Sequence, residues 1–413
     1  MTLLNIAVVG GGVGGPCAAL GLAQNGHHVT LYECATSTDG VGFAFRITPN
    51  SDRCLRSLGV DTVLGGAVIA NSGRLMDAVG LVTAEFRENT DLGKAKKGTS
   101  VFAYRPSLQR QLLDRMSKAG VVLKPGMKVT SVDVDDTTLT FDDGSTISAD
   151  LIIAADGVHS IVRPCIVDAS IYYPKLSTDH NCLRFTIPKQ TILTDSITSK
   201  LVDGDYKMFT WKGDEKRIIA YSVDADRQYN FNATHPAHMS KAETSNADYN
   251  GEDAVAYNHS ISLSRVEEIY SEFDPRAIRL FELADPEGFR VWSLVDIDEI
   301  PQWSKHHTVL IGDAAHAVLP FGFAGAGMAI EDGVTLATLL PAGLRIDDLE
   351  GRLKLFETIR RPRVARVRDF SRIMSNAEDP KTIQDYREFL GGHDALEHAR
   401  MEMEVSSERK TSS

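Results

Sequence analysis

The chain has 413 residues, 43% hydrophobic and 24% charged, with a formal net charge of −12. That length allows a large core and two or three domains, and the acidic balance argues against nucleic acid or an anionic membrane as a main partner. Five cysteines (Cys17, Cys34, Cys54, Cys165 and Cys182) lack Cys-x-x-Cys spacing, so reduced thiols are expected, with no disulfide framework and no metal site.

Asn5 to Val9 reads as a short apolar strand running into Gly10-x-Gly12-x-x-Gly15. A helix follows to Gln24 and stops at Asn25-Gly26. His28 to Tyr32 is a second apolar strand, ending in Glu33. This is the layout of a dinucleotide-binding β-α-β unit. Gly10 permits a tight turn, Gly12 lets backbone approach a pyrophosphate, and Gly15 lets the helix pack on the strand. Val13 and Gly14 lie at the helix N-terminus, whose free N–H groups suit phosphate. Glu33 stands where a carboxylate can accept hydrogen bonds from ribose hydroxyls.

Further along, a helix is expected over 50–58 and a strand over 102–104. An amphipathic helix then starts at Arg105 and carries Leu108, Leu112 and Met116. Two alternating strands flank Asp142-Asp143-Gly144-Ser145, and the buried strand 150–155 ends at Asp156-Gly157. From about 173 to 233 the pattern turns strand-like and aromatic, the signature of a separate antiparallel sheet. Residues 235–256 are polar and read as a surface excursion. Two short helices near 264–273 and 275–283, a strand at 291–294 and a buried strand at 307–311 come next. The last leads into Gly312-Asp313-Ala314-Ala315-His316. A helix over 327–340 and a last long helix over 348–376 close the ordered part, and the final dozen residues read as disordered. No apolar run reaches the ~20 residues of a membrane helix, and the N-terminal apolar stretch reads as a strand without a basic leader, so no signal peptide and a cytoplasmic protein are expected.

Three motifs thus stand in order: Gly10-x-Gly12-x-x-Gly15 with Glu33, Asp156-Gly157-Val158-His159-Ser160-Ile161-Val162-Arg163, and Gly312-Asp313-Ala314-Ala315-His316-Ala317-Val318-Leu319-Pro320. Together they resemble the single-component (group A) FAD-dependent aromatic hydroxylases, the family of 4-hydroxybenzoate hydroxylase and salicylate hydroxylase. The resemblance covers about residues 4–372 and is closest to members of fungal secondary metabolism. It implies an α/β fold: a Rossmann-type, three-layer β-β-α domain like that of glutathione reductase, with an inserted antiparallel substrate sheet and a C-terminal helix. The implied division is 1–172 with 286–345 for FAD, 173–285 for substrate, and 346–413 as a helical segment with its tail.

The resemblance also implies roles. Gly10, Gly12, Val13, Gly14 and Gly15 would cradle the FAD pyrophosphate, and Glu33 would bind the adenosine ribose. Arg105 would reach the phosphate or ribityl region, and Asp313 a ribityl hydroxyl. Asp156 belongs to a motif tied to FAD and NAD(P)H. Pro320, Gly325, Ala326 and Gly327 would pass beside the isoalloxazine ring, with the following helix aiming its N-terminus at the flavin. Arg46 is either a contact to flavin, substrate or nicotinamide phosphate, or a solvated arginine. Arg184 and Tyr221 are the substrate-side catalytic candidates, each with a structural alternative, and His316 reads as a satisfied structural histidine.

The implied reaction consumes NADPH or NADH and O2 and inserts one oxygen atom into a small, aromatic substrate by way of a flavin hydroperoxide. Hydroxylation leads, and epoxidation of an indole or alkene is the alternative. A halogenase lacks support, because Trp211, Trp292 and Trp303 do not form a Trp-x-Trp segment. A reductase on the same scaffold would consume no oxygen, and a non-catalytic FAD-fold binding protein would need no glycine loop beside the ring. A monomer or homodimer is expected.

Overall fold

The Asn5–Val9 strand is buried on both faces apart from its first residue, which makes it the centre of a parallel sheet. In a computed structural model, which describes residues 3–36, 43–87, 98–168, 170–202, 204, 206–240, 258–374 and 379–411, it pairs in parallel with His28–Glu33 on one side and Leu151–Ala154 on the other. Val122–Pro125 and Thr308–Leu310 extend this sheet in parallel, and Ser304–Lys305 closes one edge antiparallel. Helices Gly14–Gln24 and Gly325–Leu339 pack against each other beside it. Gly21 and Gly333 allow that approach: a methyl on Gly21 would stand 2.7 Å from Ala337 Cβ, and one on Gly333 2.7 Å from the Ala18 nitrogen. A three-stranded antiparallel sheet, residues 129–148, adds the further β layer. The α/β, three-layer expectation holds.

The second large sheet has eight strands. Its spine is the 14-residue strand Lys175–Pro188, paired antiparallel with both Gln228–Pro236 and Arg290–Asp296. The aromatic pattern from 173 to 233 has a physical reason. Phe185 stacks on Phe231 at 4.6 Å between centroids, and Trp211, Tyr229, Tyr270 and Phe281 fill the same core. Three strands come from outside 173–285. Ser72–Asp77 and Val82–Arg87 arrive from the N-terminal part, and Arg290–Asp296 follows it. Ser72–Asp77 joins in parallel with Met208–Lys212. The sheet is therefore mixed, and sequence segments and spatial layers do not coincide.

The C-terminal part is more helical than its sequence suggests. The helix Leu349–Met374 is followed by two more, Pro380–Gly392 and Ala395–Thr411, and the last runs into the final dozen residues, which read as disordered from composition. Asp379 accepts hydrogen bonds from Lys381 N and Thr382 N with Pro380 in the first turn, a strong helix start. Tyr386, Leu390, Ala395 and Ala399 are buried against the main core. The charged surface of these helices hides a sparse apolar stripe. The polar excursion expected over 235–256 begins as strand and a short turn to Ser240; 241–256 lie outside the described residues.

His235 illustrates how polar groups are handled in the second core. It lies fully buried between Tyr270 Oη at 2.9 Å and Ser240 Oγ at 2.7 Å. Burial pushes its pKa down to about 3. A histidine with a depressed folded pKa favours unfolding as pH falls below its ordinary value, because only the unfolded chain takes up the proton. Stability is expected to fall toward about 1.4 kcal/mol per pH unit from this group below pH 6.5. Thermal melts from pH 7 to 4.5 check this, and His235→Gln should flatten the slope.

Candidate functional site

The glycine turn is built by sterics. Gly10 has φ 103°, and its N–H donates to Tyr32 O at 2.9 Å. A methyl on Gly15 would lie 2.0 Å from Gly10 O, so the helix sits directly on the turn. A methyl on Gly12 would meet nothing within 4 Å. Open space at Gly12 beside forced contacts at Gly10 and Gly15 is the geometry that a bound pyrophosphate needs. The Gly14–Gln24 helix has no side-chain cap and no acid in its first turn, so its N-terminal N–H groups remain available. Glu33 Oε2 accepts from Gly11 N at 2.6 Å and Oε1 from Ala35 N at 2.8 Å. Gln109, which sequence did not single out, donates to Gly11 O at 2.9 Å and ties the Arg105–Lys118 helix to the turn.

The second motif braces the third. Asp156 Oδ2 accepts from Ile161 N at 2.9 Å, while Oδ1 is buried without a partner, and burial raises the carboxyl pKa. Arg163 donates to Val158 O at 2.7 Å and to Ala314 O at 2.9 Å. It stitches the two loops together, a role that the motif order alone does not reveal.

Asp313 follows Gly312, whose φ is 59°. Its carboxyl lies deep within the protein, and the resulting desolvation raises its pKa against the lowering effects of His316 and Arg105. It is nevertheless exposed, because it faces the cavity. Its carboxylate makes no hydrogen bond to any described residue. A desolvated acid that faces a cavity without protein donors suits a ligand that brings them, and sugar hydroxyls do so.

One cavity of ≈ 580 Å³ joins these parts. Gly12, Val13, Gly14, Arg105 and Asp313 line one end, and Arg46, Pro320, Gly325 and Ala326 line the middle. Arg184 and Tyr221 line the other end, on the eight-stranded sheet. Gly10, Gly15, Glu33, Asp156 and Gly327 are not among the cavity's lining residues. Gly327 is a packing glycine: a methyl there would lie 2.5 Å from Ser51 Oγ. Arg46 is neither free nor merely solvated. Its Nε donates to Ser100 Oγ at 2.8 Å, and its guanidinium lies 6.0 Å from the Phe323 ring centroid.

The two substrate-side candidates part company. Arg184 faces Asn232 across the strands, lies 5.9 Å from the Trp292 ring centroid and has a buried Nε without a partner. Tyr221 is fully engaged: its hydroxyl donates to Ala44 O at 2.9 Å and accepts from Asn232 Nδ2 at 3.2 Å, and its ring stacks on Phe102. Burial pushes its pKa up to about 12. Near pH 7 the hydroxyl is neutral and held between Ala44 O and Asn232 Nδ2.

Behind the cavity lies a buried ionic cluster. Glu331 and Asp332, on the Gly325–Leu339 helix, meet Arg360 at 2.5 and 2.8 Å with all three side chains fully buried. Arg363 adds a second bond to Glu331 at 2.7 Å. Burial alone would raise the Glu331 pKa, but Arg360 and Arg363 hold it well below the usual range. Asp332 Oδ2 accepts from Gly312 N at 2.9 Å and contacts His316 Nε2 at 2.6 Å. His316 thus braces the Gly312 turn through Asp332, while its Nδ1 is buried without a hydrogen-bond partner. The cluster was invisible in the sequence, because 28 positions separate the partners Asp332 and Arg360.

The FAD binding domain family matches residues 4–181 and 281–371. The chain belongs to this family. An FAD-dependent monooxygenase, atnJ of Arthrinium sp, is 28% identical over 365 residues, 88% of this chain and 82% of that protein. Hispidin-3-hydroxylase of Neonothopanus nambi is 27% identical over 377 residues, 87% of this chain and 86% of the relative. The crystal structure of CtdE in complex with FAD and substrate superposes with a TM-score of 0.83 at 19% identity, covering 99% of this chain and all of that one. The enzyme class is that of an FAD-dependent monooxygenase, with NAD(P)H and O2 as co-substrates. Among the described residues no helix is long and apolar enough to cross a membrane, no group of side chains could hold a metal ion, and all five cysteines are free.

Proposed function

We propose that the protein hydroxylates an aromatic or phenolic ring of a small to medium organic substrate. The observation that carries this reading is the single cavity running from Gly12 and Asp313 to Arg184 and Trp292. Bound FAD would take reducing equivalents from NAD(P)H and activate O2. The chain's own residues hold and shield it. Gly12, Val13 and Gly14 accommodate the pyrophosphate, with Gly10 and Gly15 shaping the turn and Glu33 beside the adenosine ribose. Asp313 accepts from a ribityl hydroxyl. Arg105 and Arg46 supply positive charge along the wall, and Asp156 shapes the second motif. Pro320, Gly325, Ala326 and Gly327 form the flank of the flavin ring.

On the substrate side, the Arg184 guanidinium favours the ionised form of a phenol, and Trp292, Phe321 and Phe323 exclude water. The same apolar wall suits an alkene or indole, so epoxidation is the second reading. In this assignment 1–172 with 286–345 serve the cofactor, 173–285 supply most of the substrate wall, and 346–413 brace the back. A cytoplasmic monomer or homodimer fits the reduced thiols and the acidic surface.

Anaerobic titration of the yellow protein with NADPH or NADH, with and without a panel of phenols, tests the reading. Flavin bleaching that accelerates with one class of phenol is the expected result. Flavin that neither nicotinamide bleaches under any condition would sink it. In the responsive case, Arg184→Met is expected to raise KM for the phenol roughly tenfold or more, as loss of one charge-assisted contact does.

A further inference from the structure

The turn Pro320–Gly322 is gripped from behind by a residue outside the matched family segments. Tyr386, on the Pro380–Gly392 helix, donates its buried hydroxyl to Gly322 O at 3.0 Å. The contact is close enough to dictate the residue at 322: a methyl there would lie 2.3 Å from Tyr386 Oη. Glycine at this position therefore answers to the C-terminal helix, and Gly322 itself is buried.

The turn needs such a grip. Phe323, which follows it, has φ 55°, a left-handed conformation that a bulky residue adopts only when its surroundings enforce it. On the cavity side, Phe321 packs on Cys182, Leu294 and Leu319, and Phe323 lies near Arg46. The helix that provides the grip is itself anchored. Arg363 donates to Phe389 O at 3.3 Å and Leu390 O at 3.1 Å while bound to Glu331, and Arg53 donates to Gly391 O at 2.9 Å. The Tyr386 ring sits 4.9 Å from that of Phe370. A rigid path thus runs from the buried ionic cluster through the C-terminal helix to the backbone of one cavity wall.

We propose that Tyr386 is a positioning residue: its hydroxyl fixes the Pro320–Phe323 turn and so sets the gap between the flavin ring and the substrate. This rests on the reading that the Pro320–Gly327 loop flanks the flavin. Tyr386 touches neither ligand and acts through the Gly322 carbonyl.

Tyr386→Phe removes one oxygen and keeps the ring. The measurements are the FAD dissociation constant of the apoprotein by fluorescence titration, the KM for the accepted phenol, hydrogen peroxide released per NAD(P)H, and the melting temperature of the apoprotein. The expected result is about a three- to tenfold rise in KM and in the FAD dissociation constant, as for one lost hydrogen bond. A larger peroxide fraction should accompany it. Gly322→Ala, which pushes the turn off the hydroxyl, should give the same pattern, and the double variant should be little worse than Gly322→Ala alone. A fall in melting temperature with KM, FAD affinity and peroxide yield unchanged would overturn the proposal, as would additive losses in the double variant. If the wild-type apoprotein itself fails to take up FAD, the functional reading falls first; if it binds FAD and only the variants are silent, this proposal alone fails.

Discussion

Arg360→Met is expected to destabilise the protein by about 3–5 kcal/mol, the range for breaking a buried ion pair from one side. Methionine fills much of the arginine's space, so the loss is electrostatic and not a cavity. It leaves Glu331 and Asp332, both fully buried and adjacent in sequence, with Arg363, His316 and the neutral donors Asn50 Nδ2 and Gly312 N in place of Arg360. The acid side of the stability curve gives a second signature. Both carboxyls have depressed pKa values in the fold despite burial, Glu331 because of Arg360 and Arg363, and Asp332 because of His316 and then Arg360. Such groups contribute stability that is present above their unfolded pKa and lost as pH falls through the folded one. Without Arg360 those folded values rise, so acid unfolding should begin at higher pH. Melting temperature and soluble yield from pH 8 to 5 measure both effects. Equal losses at every pH would mean that packing, not charge, is what Arg360 provides. FAD affinity should weaken too, because Asp332 also holds Gly312 N, next to Asp313.

Elements with strong local signals were legible in the sequence. The Asn5–Val9 strand, the glycine turn and the Arg105–Lys118 helix appear where periodicity and capping place them, and Leu108, Leu112 and Met116 are buried as a 3.6-residue period requires. What failed to show was long-range. The Ser72–Asp77 strand carries no clean alternation, since it contains Gly73 and Arg74, while Val82–Arg87 does alternate but is short and largely exposed. They are strands because the edge of the large sheet accepts them. The C-terminal helices were hidden by charge, and their signal, Asp379-Pro380 followed by Tyr386 and Leu390 four apart, is sparse. At the site, motif glycines could be assigned by type, but sequence could not separate Gly12, which faces open space, from Gly327, which packs on Ser51. Tyr221 shows the same limit: an aromatic on the right strand says nothing of where its hydroxyl bonds, here to Ala44 O and Asn232.

Gly12 and Gly15 allow cofactor space to be separated from folding. Gly12→Leu is expected to yield a folded, colourless protein, with FAD affinity reduced by about 3 kcal/mol or more, roughly a hundredfold. A side chain there meets no protein atom within 4 Å of its Cβ, and Gly12 does not need a positive φ, so the apoprotein should melt close to wild type. The leucine would occupy the space a pyrophosphate needs and cover the N–H groups of the following helix. Gly15→Ala asks the opposite question. Its methyl would lie 2.0 Å from Gly10 O, a backbone atom fixed by the bond from Gly10 N to Tyr32 O. Helix and strand must separate, so poor folding is expected whatever ligand is supplied. Flavin absorbance per protein, paired with circular dichroism melts of the apoproteins, reads both variants. A Gly12→Leu protein that stays yellow and binds FAD as wild type would place the pyrophosphate elsewhere and remove the basis for assigning the first motif. A Gly12→Leu protein that fails to fold would show that the open space at Gly12 is needed by the chain itself.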